Sequence, residues 1–219
     1  MSRNAITFLK TYISSPDVTG AVAPSSRGLA RALTSPLREH QGAARILEVG
    51  AGTGPVTRVI GECLGPDDRL DVCEIQPELA DVLERGPLSE GKLASARSEG
   101  RVRLIRAPIQ EVEAAGAYDF VISGLPFTAF KLEIVQEIIS VIRRSMKPGG
   151  VFSYFEYIAL RALGRNLGLK STKERLRPVS NFLDDMIATH QIKRQTIMLN
   201  IPPAYARHLV FSDSKTDGQ

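Results

Sequence analysis

The spacing of apolar and polar residues predicts alternating strands and helices along most of the chain. Short apolar runs predict strands at Arg45–Val49, Leu70–Glu74, Val102–Arg106, Tyr118–Ser123, Val151–Tyr157, Ile192–Met198 and His208–Phe211. Apolar residues three and four positions apart predict helices at Pro55–Leu64, Pro77–Arg85, Leu132–Met146 and Asn181–His190. This alternation requires a mostly parallel sheet with helices on both faces, which is an α/β fold.

This pattern leaves two segments of the chain without a definite element, and a third segment marks the end of a helix. Residues 86–100 are small and polar and predict a loop or a loose helix, while the basic stretch 159–178 fits no single element. Pro148-Gly149-Gly150 is expected to stop the helix that precedes it, because these residues disfavour helical continuation.

The first 40 residues carry a helical pattern of their own. Apolar and aromatic residues recur three and four apart over Arg3–Ile13, and Pro24-Ser25-Ser26 predicts the cap of a second helix that runs to about Leu33. We therefore expect residues 1–40 to form an N-terminal helical cap and residues 41–219 to form one α/β domain.

Composition and charge narrow the class of protein. The 219 residues are 43% hydrophobic and 24% charged, which suits one globular domain. The net charge of +4 fits an anionic lipid surface, a nucleic acid, or no acidic partner at all. No apolar run approaches the roughly 20 residues that cross a bilayer, so we expect a cytoplasmic protein. Two cysteines and three histidines without ligand spacing predict no metal site.

A glycine-rich turn follows the first predicted strand, in the segment Ile46–Gly54. Glycine permits backbone angles that other residues avoid, and the turn opens a helix whose free N–H groups point into a cleft. Glu74 ends the next strand, where an acidic residue binds ribose hydroxyls in nucleotide-binding α/β domains. Together these features predict a site for a nucleotide-like cofactor.

The string ILEVGAGTG, followed by DVCEIQPELA, resembles the first two cofactor motifs of the class I S-adenosylmethionine-dependent methyltransferases. The resemblance covers about Ile46 to Phe155, and the KPGG string supports it. It implies a Rossmann-like fold with a seven-stranded sheet, and S-adenosylmethionine as cofactor. Glu48 would hold the amino-acid end of the cofactor and Glu74 its ribose. The glycines under its methionine part would be Gly50, Gly52 and Gly54.

Two further motifs of that family match less fully. The third often carries an acid near the adenine, but Arg106–Gln110 has none at the usual place, so Ile109 or Gln110 is expected to make that contact. The fourth motif reads SGLPF from Ser123 to Phe127, and the resemblance implies Ser123 in the cofactor site and Leu125 in the catalytic site.

The fourth motif also bears on the substrate. In the methyltransferases that modify adenine N6 in RNA, an asparagine and a backbone carbonyl hold the amine, and an aromatic ring stacks on the base. This chain has Gly124 in place of that asparagine. The departure argues against nucleic acid as a partner.

The two ends of the chain resemble a narrower group. FLKTYISSPDVTGAVAPSSRGLARAL and LNIPPAYARHLVF are similar to the first and last segments of the bacterial phospholipid and ornithine-lipid N-methyltransferases. The resemblance implies a first helix that binds the membrane interface and covers the active site. The pattern of Arg3–Ile13 fits such a helix, and it fits equally an amphipathic helix packed on the domain.

Candidate substrate contacts lie in two places. Arg161 and Arg177, in the basic stretch, are expected to bind a lipid phosphate or carboxylate, since arginine holds either with two parallel hydrogen bonds. Segment 154–157 offers aromatic rings and the carboxylate of Glu156, and rings stabilise a nitrogen that becomes positive. We expect Tyr157 to contact the headgroup, with Tyr12 as the second candidate.

Three functions therefore remain open on the sequence. The first is an N-methyltransferase acting on the amine headgroup of a membrane lipid, phosphatidylethanolamine with its methylated forms or an ornithine lipid. Such an enzyme would lie on the anionic inner face of the cytoplasmic membrane. The second is an RNA-directed or small-molecule methyltransferase, and the third is a non-catalytic module that binds the cofactor.

Overall fold

The computed structural model describes residues 25–112, 115–158 and 170–211, without the side chains of residues 170–175. The strands are β1 (Arg45–Val49), β2 (Arg69–Cys73), β3 (Val102–Ile105), β4 (Tyr118–Ser123), β5 (Met146–Tyr157), β6 (Gln191–Ile197) and β7 (Ala204–Val210). The helices are α1 (Arg27–Leu33), α2 (Ser35–Glu39), α3 (Pro55–Cys63), α4 (Pro77–Arg85), α5 (Gly91–Ser98), α6 (Leu132–Ser145) and α7 (Lys170–His190). Short 3-10 turns occur at Pro87–Ser89, Ile109–Glu111 and Phe127–Ala129.

The strands form one seven-stranded sheet in the order β3-β2-β1-β4-β5-β7-β6. Strands β1 to β5 run parallel to one another, and β7 runs antiparallel to both β5 and β6. The predicted Rossmann-like α/β fold, mostly parallel and flanked by helices, is therefore confirmed. The antiparallel β6–β7 hairpin completes one side of the sheet.

Both faces of the sheet are covered, because successive residues of its strands point to opposite sides. In β1, Ile46 packs in a core cluster with α1 and α3, and Leu47 packs in a second cluster with α6 and α7. A parallel strand buried on two faces reads as a continuous apolar run. That property explains why the sequence predicts β1 to the residue.

Helix α1 begins where the sequence predicts it. The hydroxyl of Ser26 accepts a hydrogen bond from the backbone N–H of Leu29 at 3.1 Å, which caps the helix. Leu29 and Leu33 are buried against the sheet. The predicted Arg3–Ile13 helix, with Tyr12, lies outside the described residues.

The helix before Pro148-Gly149-Gly150 ends within one residue of its predicted end at Met146, but the strand that follows starts earlier than the predicted Val151. Helix α6 ends at Ser145 and β5 starts at once, so the three residues lie inside the strand. Tyr118 pairs with Met146 but Phe120 pairs with Val151, so β5 carries extra residues there as a bulge. Gly149 has a φ of 77°, which glycine adopts without strain.

Helix α7 is longer than the predicted Asn181–His190 and contains Pro178. Proline removes one helical hydrogen bond and usually marks a boundary. Here Leu176 and Val179 are buried on either side of the proline, so packing keeps both halves of the helix in place. The open stretch 86–100 forms the 3-10 turn at Pro87–Ser89 and helix α5.

Candidate cofactor and acceptor site

The glycine loop lies at the edge of the sheet where the parallel strands end. The backbone N–H of Gly50 donates to the carbonyl of Cys73, the last residue of β2, at 2.9 Å. On the other side, the N–H of Gly124 donates to the carbonyl of Val49 at 2.8 Å. The ends of β1, β2 and β4 are thus joined by the start of the loop.

Glu74 is hydrogen-bonded to the loop directly. Its Oε2 accepts from the backbone N–H of Gly52 at 2.8 Å, and its Oε1 accepts from the N–H of Gln76 at 2.9 Å. The side chain is buried. Burial raises the pKa of Glu74, and the hydrogen bonds from Gln76 and Gly52 act in the opposite direction. The carboxylate therefore fixes the loop and stays beside it.

The three loop glycines serve different purposes. A Cβ on Gly50 would lie 2.4 Å from Leu125 Cδ2, and one on Gly54 would lie 2.5 Å from Pro87 Cγ. Gly52 has a φ of +61°, but a Cβ there would meet no atom within 4 Å among the described residues. All three glycines have a positive φ, which other residues rarely adopt. Close packing adds to this requirement at Gly50 and Gly54, whereas the described residues leave open space beside Gly52.

Glu48, which lies in β1 two positions before Gly50, is buried. Loss of solvent raises its pKa to about 8; hydrogen bonding from Thr57 acts in the opposite direction, and the charge of Glu74 adds a smaller rise. Within the described ranges its Oε2 has no hydrogen-bond partner. Without a cation beside it the buried carboxyl therefore keeps its proton, and a cationic group of a ligand would favour the ionised carboxylate.

The third motif forms the 3-10 turn at Ile109–Glu111. Ile109 is buried in the core on the α6 face. Gln110 is half-buried, and its Oε1 is enclosed without a hydrogen-bond partner in the part of the chain that the structure describes. The adenine contact assigned to Ile109 or Gln110 stays a prediction.

The fourth motif packs tightly against the glycine loop. Ser123 is buried and its hydroxyl accepts from the N–H of Leu125 at 3.2 Å. A Cβ on Gly124 would lie 2.5 Å from the carbonyl oxygen of Gly50. An asparagine at this position would collide with the loop backbone, so Gly124 is a requirement of this site.

The ring of Phe127 is also part of the interior. It packs edge-on against Phe152 and Tyr154, with centroid distances of 6.3 and 5.6 Å, and it is buried. It therefore presents no face on which a nucleic-acid base could stack.

Comparison with known proteins identifies the family. A family described as "Methyltransferase domain" matches residues 46–150. An ornithine lipid N-methyltransferase from Singulisphaera acidiphila is 32% identical over 148 residues, which are 67% of this chain and 74% of that protein. The chain belongs to the class I S-adenosylmethionine-dependent methyltransferases. It is therefore an enzyme, and its cofactor is S-adenosyl-L-methionine.

Solved structures agree with this methyltransferase in fold. An O-methyltransferase from Bacillus cereus, in complex with SAH, is 15% identical with a TM-score of 0.64, covering 96% of this chain and 92% of its own. An O-methyltransferase of tomaymycin synthesis from Streptomyces achromogenes, in complex with S-adenosylmethionine, is 16% identical with a TM-score of 0.60, covering 97% and 92%.

The residues of the cleft fit the cofactor of this methyltransferase. The unpartnered Oε2 of Glu48 suits an ammonium group, which carries three donors. The space beside Gly52 lets a ligand approach the loop backbone. No group of three or more His, Cys, Asp or Glu side chains in the described ranges is arranged to hold a metal ion.

At the end of β5 the side chains alternate between the two faces of the sheet. Phe155 and Tyr157 pack in the core cluster on the α1 face, with ring centroids 5.1 Å apart, and Tyr154 packs in the other cluster. Burial raises the pKa of Tyr157, so its phenol is neutral at pH 7. Tyr157 is the last residue of β5 and reaches the edge that carries the glycine loop.

Glu156, proposed from the sequence as a carboxylate near the cleft, is not available for that role. It is buried and forms an ion pair with the buried Arg207 of β7. The two residues are 51 positions apart, so the sequence pattern around Glu156 carried no signal of its partner. Because successive strand residues point to opposite faces of the sheet, the side chain of Glu156 faces away from that of Tyr157.

The predicted basic contacts are only partly described. Arg177 is exposed on α7, while Arg161 lies outside the described residues, as does Tyr12. None of the helices in the described ranges combines the length and the apolar character that a bilayer-crossing helix needs.

Proposed function

We propose that this methyltransferase transfers a methyl group to the amine headgroup of a membrane lipid. The observation that carries the proposal is the 32% identity to an ornithine lipid N-methyltransferase, which spans 148 residues of this chain. An ornithine lipid is the first candidate acceptor. Phosphatidylethanolamine and its methylated forms are the second, since they present a similar primary or alkylated amine.

Four residues hold the cofactor in this proposal. Glu48 binds the amino group of its methionine part, which would give Oε2 a partner. Glu74 accepts from the ribose hydroxyls, because each of its oxygens keeps a lone pair beyond the backbone bond it already accepts. Gly52 leaves room for the methionine part, and Gln110 offers its enclosed amide oxygen to the adenine amine. Ile109 and Ser123 complete this part of the cleft.

The bound cofactor supplies an electrophilic methyl group on a sulfonium. The chain must deliver a neutral amine, although a free alkyl amine with a pKa of ~10 is protonated at pH 7. Desolvation beside the rings at the end of β5 lowers the pKa of the acceptor nitrogen. Because Glu156 is paired with Arg207, we propose that the proton leaves to solvent. Leu125, packed on Gly50, forms the wall of the transfer site.

Tyr157 and Tyr12 are the proposed headgroup contacts. A neutral phenol does not act as a base, so Tyr157 would use its ring and hydroxyl to hold the nitrogen in line. A ring face contributes about 0.5–2 kcal/mol to a nitrogen that gains positive charge. Positioning of this kind supplies much of the rate in transfer between two bound groups.

The remainder of the lipid meets basic residues and a membrane surface. Arg177, exposed on α7, and Arg161 are proposed to bind the phosphate or carboxylate of the headgroup. Each basic residue near an anionic leaflet contributes about 1 kcal/mol to binding. The enzyme would thus lie on the inner face of the cytoplasmic membrane, with the Arg3–Ile13 segment as an interfacial helix.

Two contacts argue against RNA as the acceptor. Gly124 cannot be the amide that holds a base, because a side chain there meets the carbonyl of Gly50. Phe127 cannot stack on a base, because its ring is buried against Phe152 and Tyr154. The lipid amine is the acceptor that the remaining features favour.

Expression in a bacterial host that lacks methylated lipids, followed by lipid mass spectrometry, tests the proposal. We expect new mono-, di- or trimethylated amine lipids, and none with a Glu74→Ala variant of equal abundance. An unchanged lipid profile, from cofactor-bound protein, would contradict the proposal and point to a small-molecule acceptor.

A further inference from the structure

The turn between β6 and β7 exposes three large apolar side chains. Met198 is 67% exposed, Leu199 93% and Ile201 82%. The stretch 195–206 that surrounds them contains no charged residue. Exposed apolar residues are ordinary when scattered singly, whereas a group on one projecting turn marks an interaction surface.

Asn200, the polar residue between Leu199 and Ile201, holds this turn in place by hydrogen bonds. Asn200 is only 2% exposed. Its Oδ1 accepts from the backbone N–H of Ser26 at 3.0 Å, and its Nδ2 donates to the carbonyl of Pro202 at 2.7 Å. Burial is thus inverted along the turn, with the amide inside and the apolar side chains outside. The fold itself projects Met198, Leu199 and Ile201.

The turn lies at the edge of the sheet that carries the cofactor loop. Ala204, the first residue of β7, pairs with both Tyr157 at the end of β5 and Ile197 at the end of β6. Strand β5 is parallel to β4, and β4 to β1, so the ends of all three strands meet at this edge. The N–H of Ile158, just beyond β5, donates to the carbonyl of Pro203 at 2.9 Å.

We infer that the turn of residues 198–203 inserts into the interface of an anionic lipid bilayer and sets the cofactor edge of the sheet against the membrane. The inference rests on the proposed function, for which it names the docking element. Apolar side chains enter the boundary between headgroups and acyl chains, and cationic residues behind them meet the headgroups. Arg194, exposed on β6 and stacked over the ring of Tyr205 at 4.8 Å, is placed for that contact.

A bilayer suits the turn better than a protein partner does. A stable dimer buries about 800 Å² on each partner, which is more than three side chains on a narrow turn provide. Insertion into a bilayer has no such minimum.

The absence of tryptophan from the sequence makes a direct test possible. Leu199→Trp places a single indole on the turn. Ile192→Trp is the matched control, because Ile192 is 60% exposed on the same hairpin but near the opposite end of β6. The full chain is mixed with vesicles of equal parts phosphatidylglycerol and phosphatidylcholine, with and without brominated acyl chains. We expect the emission of Leu199→Trp to shift to the blue and to be quenched by bromine, and that of Ile192→Trp to stay unchanged.

Two outcomes overturn the inference. In the first, the emission of Leu199→Trp does not change when vesicles are added. In the second, it is already shifted to the blue without them, because the N-terminal segment or a second copy covers the turn. Failure of the proposed function is distinguishable: Leu199→Trp would be quenched while the enzyme methylates no amine lipid.

A kinetic arm uses Met198→Ser combined with Leu199→Ser. We expect transfer to amine lipid in vesicles to fall at least tenfold, with transfer to the same lipid in detergent micelles unchanged. Equal rates of wild type and variant on vesicles would contradict the inference.

Discussion

Gly124 lies so close to Gly50 that a Cβ on Gly124 would come within 2.5 Å of the Gly50 carbonyl oxygen. Real Cβ atoms essentially never approach an oxygen so closely. The end of β4 and the start of the cofactor loop are therefore in backbone contact, which the 2.8 Å hydrogen bond from Gly124 N to Val49 O reinforces. Any side chain at position 124 must displace the loop.

Gly124→Ala is expected to lower both stability and cofactor affinity. Overpacking of this kind destabilises by about 1–3 kcal/mol, and displacement of the loop should weaken S-adenosylmethionine binding at least tenfold. Urea unfolding and calorimetry measure the two effects. Gly28→Ala, in helix α1, is the matched control. A Cβ on Gly28 would meet its nearest neighbour at 3.6 Å, which is ordinary van der Waals contact. Wild-type affinity in Gly124→Ala would contradict the close contact.

Glu74→Gln should weaken cofactor binding with little change in fold. The glutamine has one acceptor oxygen, so its NH₂ group must face either the N–H of Gly52 or that of Gln76, two donors that Glu74 now satisfies. We expect calorimetry to show a loss of at least tenfold in affinity for S-adenosylhomocysteine. Glu78→Gln, an exposed change in the first turn of α4, should leave the affinity as it is. Equal losses of affinity in the two variants would show that Glu74 does not contact the cofactor.

The buried carboxyl of Glu48 predicts an unusual pH dependence of stability. Its pKa is about 8 in the fold and about 4.3 in the unfolded chain. Between these values the folded state keeps a proton that the unfolded state releases, so stability falls as pH rises. Without ligand, we expect the free energy of unfolding to fall by up to about 1.4 kcal/mol per pH unit relative to Glu48→Gln. Urea unfolding near pH 5.5 and pH 7.5 measures it, and parallel curves for the two proteins would contradict the assignment.

His208 predicts the opposite slope in acid. The ring is buried, its Nδ1 lies 2.8 Å from the hydroxyl of Ser153, and its Nε2 lies 3.3 Å from Nε2 of Gln195. Because the amide nitrogen of Gln195 must donate, Nε2 accepts and Nδ1 carries the proton. Burial lowers the pKa of His208 to about 4, against about 6.5 when unfolded.

The neutral His208 therefore stabilises the fold fully above pH 6.5, and this contribution is lost as pH falls towards 4. The loss amounts to about 3 kcal/mol. His208→Gln should flatten the acid limb of the stability curve, measured by urea unfolding between about pH 4 and pH 7. His40→Gln, at an exposed histidine, should keep the wild-type slope. A variant at position 208 that loses stability in acid as steeply as wild type would refute this role.

Local pattern was sufficient for the central sheet, and it failed where distant contacts decide. Strand β1 is buried on two faces, so its apolar run marks both of its ends. The KPGG residues and Pro178 look like helix boundaries, but the pairing of Phe120 with Val151 and the burial of Val179 place them inside a strand and a helix. Such pairings join residues far apart in sequence, and a window along the chain does not contain them.

The candidate site was likewise predictable from the sequence only in part. Gly52 and Glu74 stand at the ends of neighbouring strands, so their proximity follows from topology alone. The pairing of Glu156 with Arg207 and the inward turn of Phe127 depend on packing of β5 and β7. The exposure of Leu199 likewise depends on the bonds of Asn200 to Ser26 and Pro202.

Methyl transfer by the purified enzyme tests the central claim most directly. The full chain is incubated with S-adenosylmethionine carrying a deuterated methyl group and with vesicles that contain ornithine lipid or phosphatidylethanolamine. The account predicts deuterated methyl groups on the headgroup nitrogen of one of these lipids, detected by mass spectrometry of the headgroup fragment, with Glu74→Gln greatly reduced at the same cofactor concentration. Cofactor that binds with wild-type stoichiometry while both lipids stay unlabelled would contradict it.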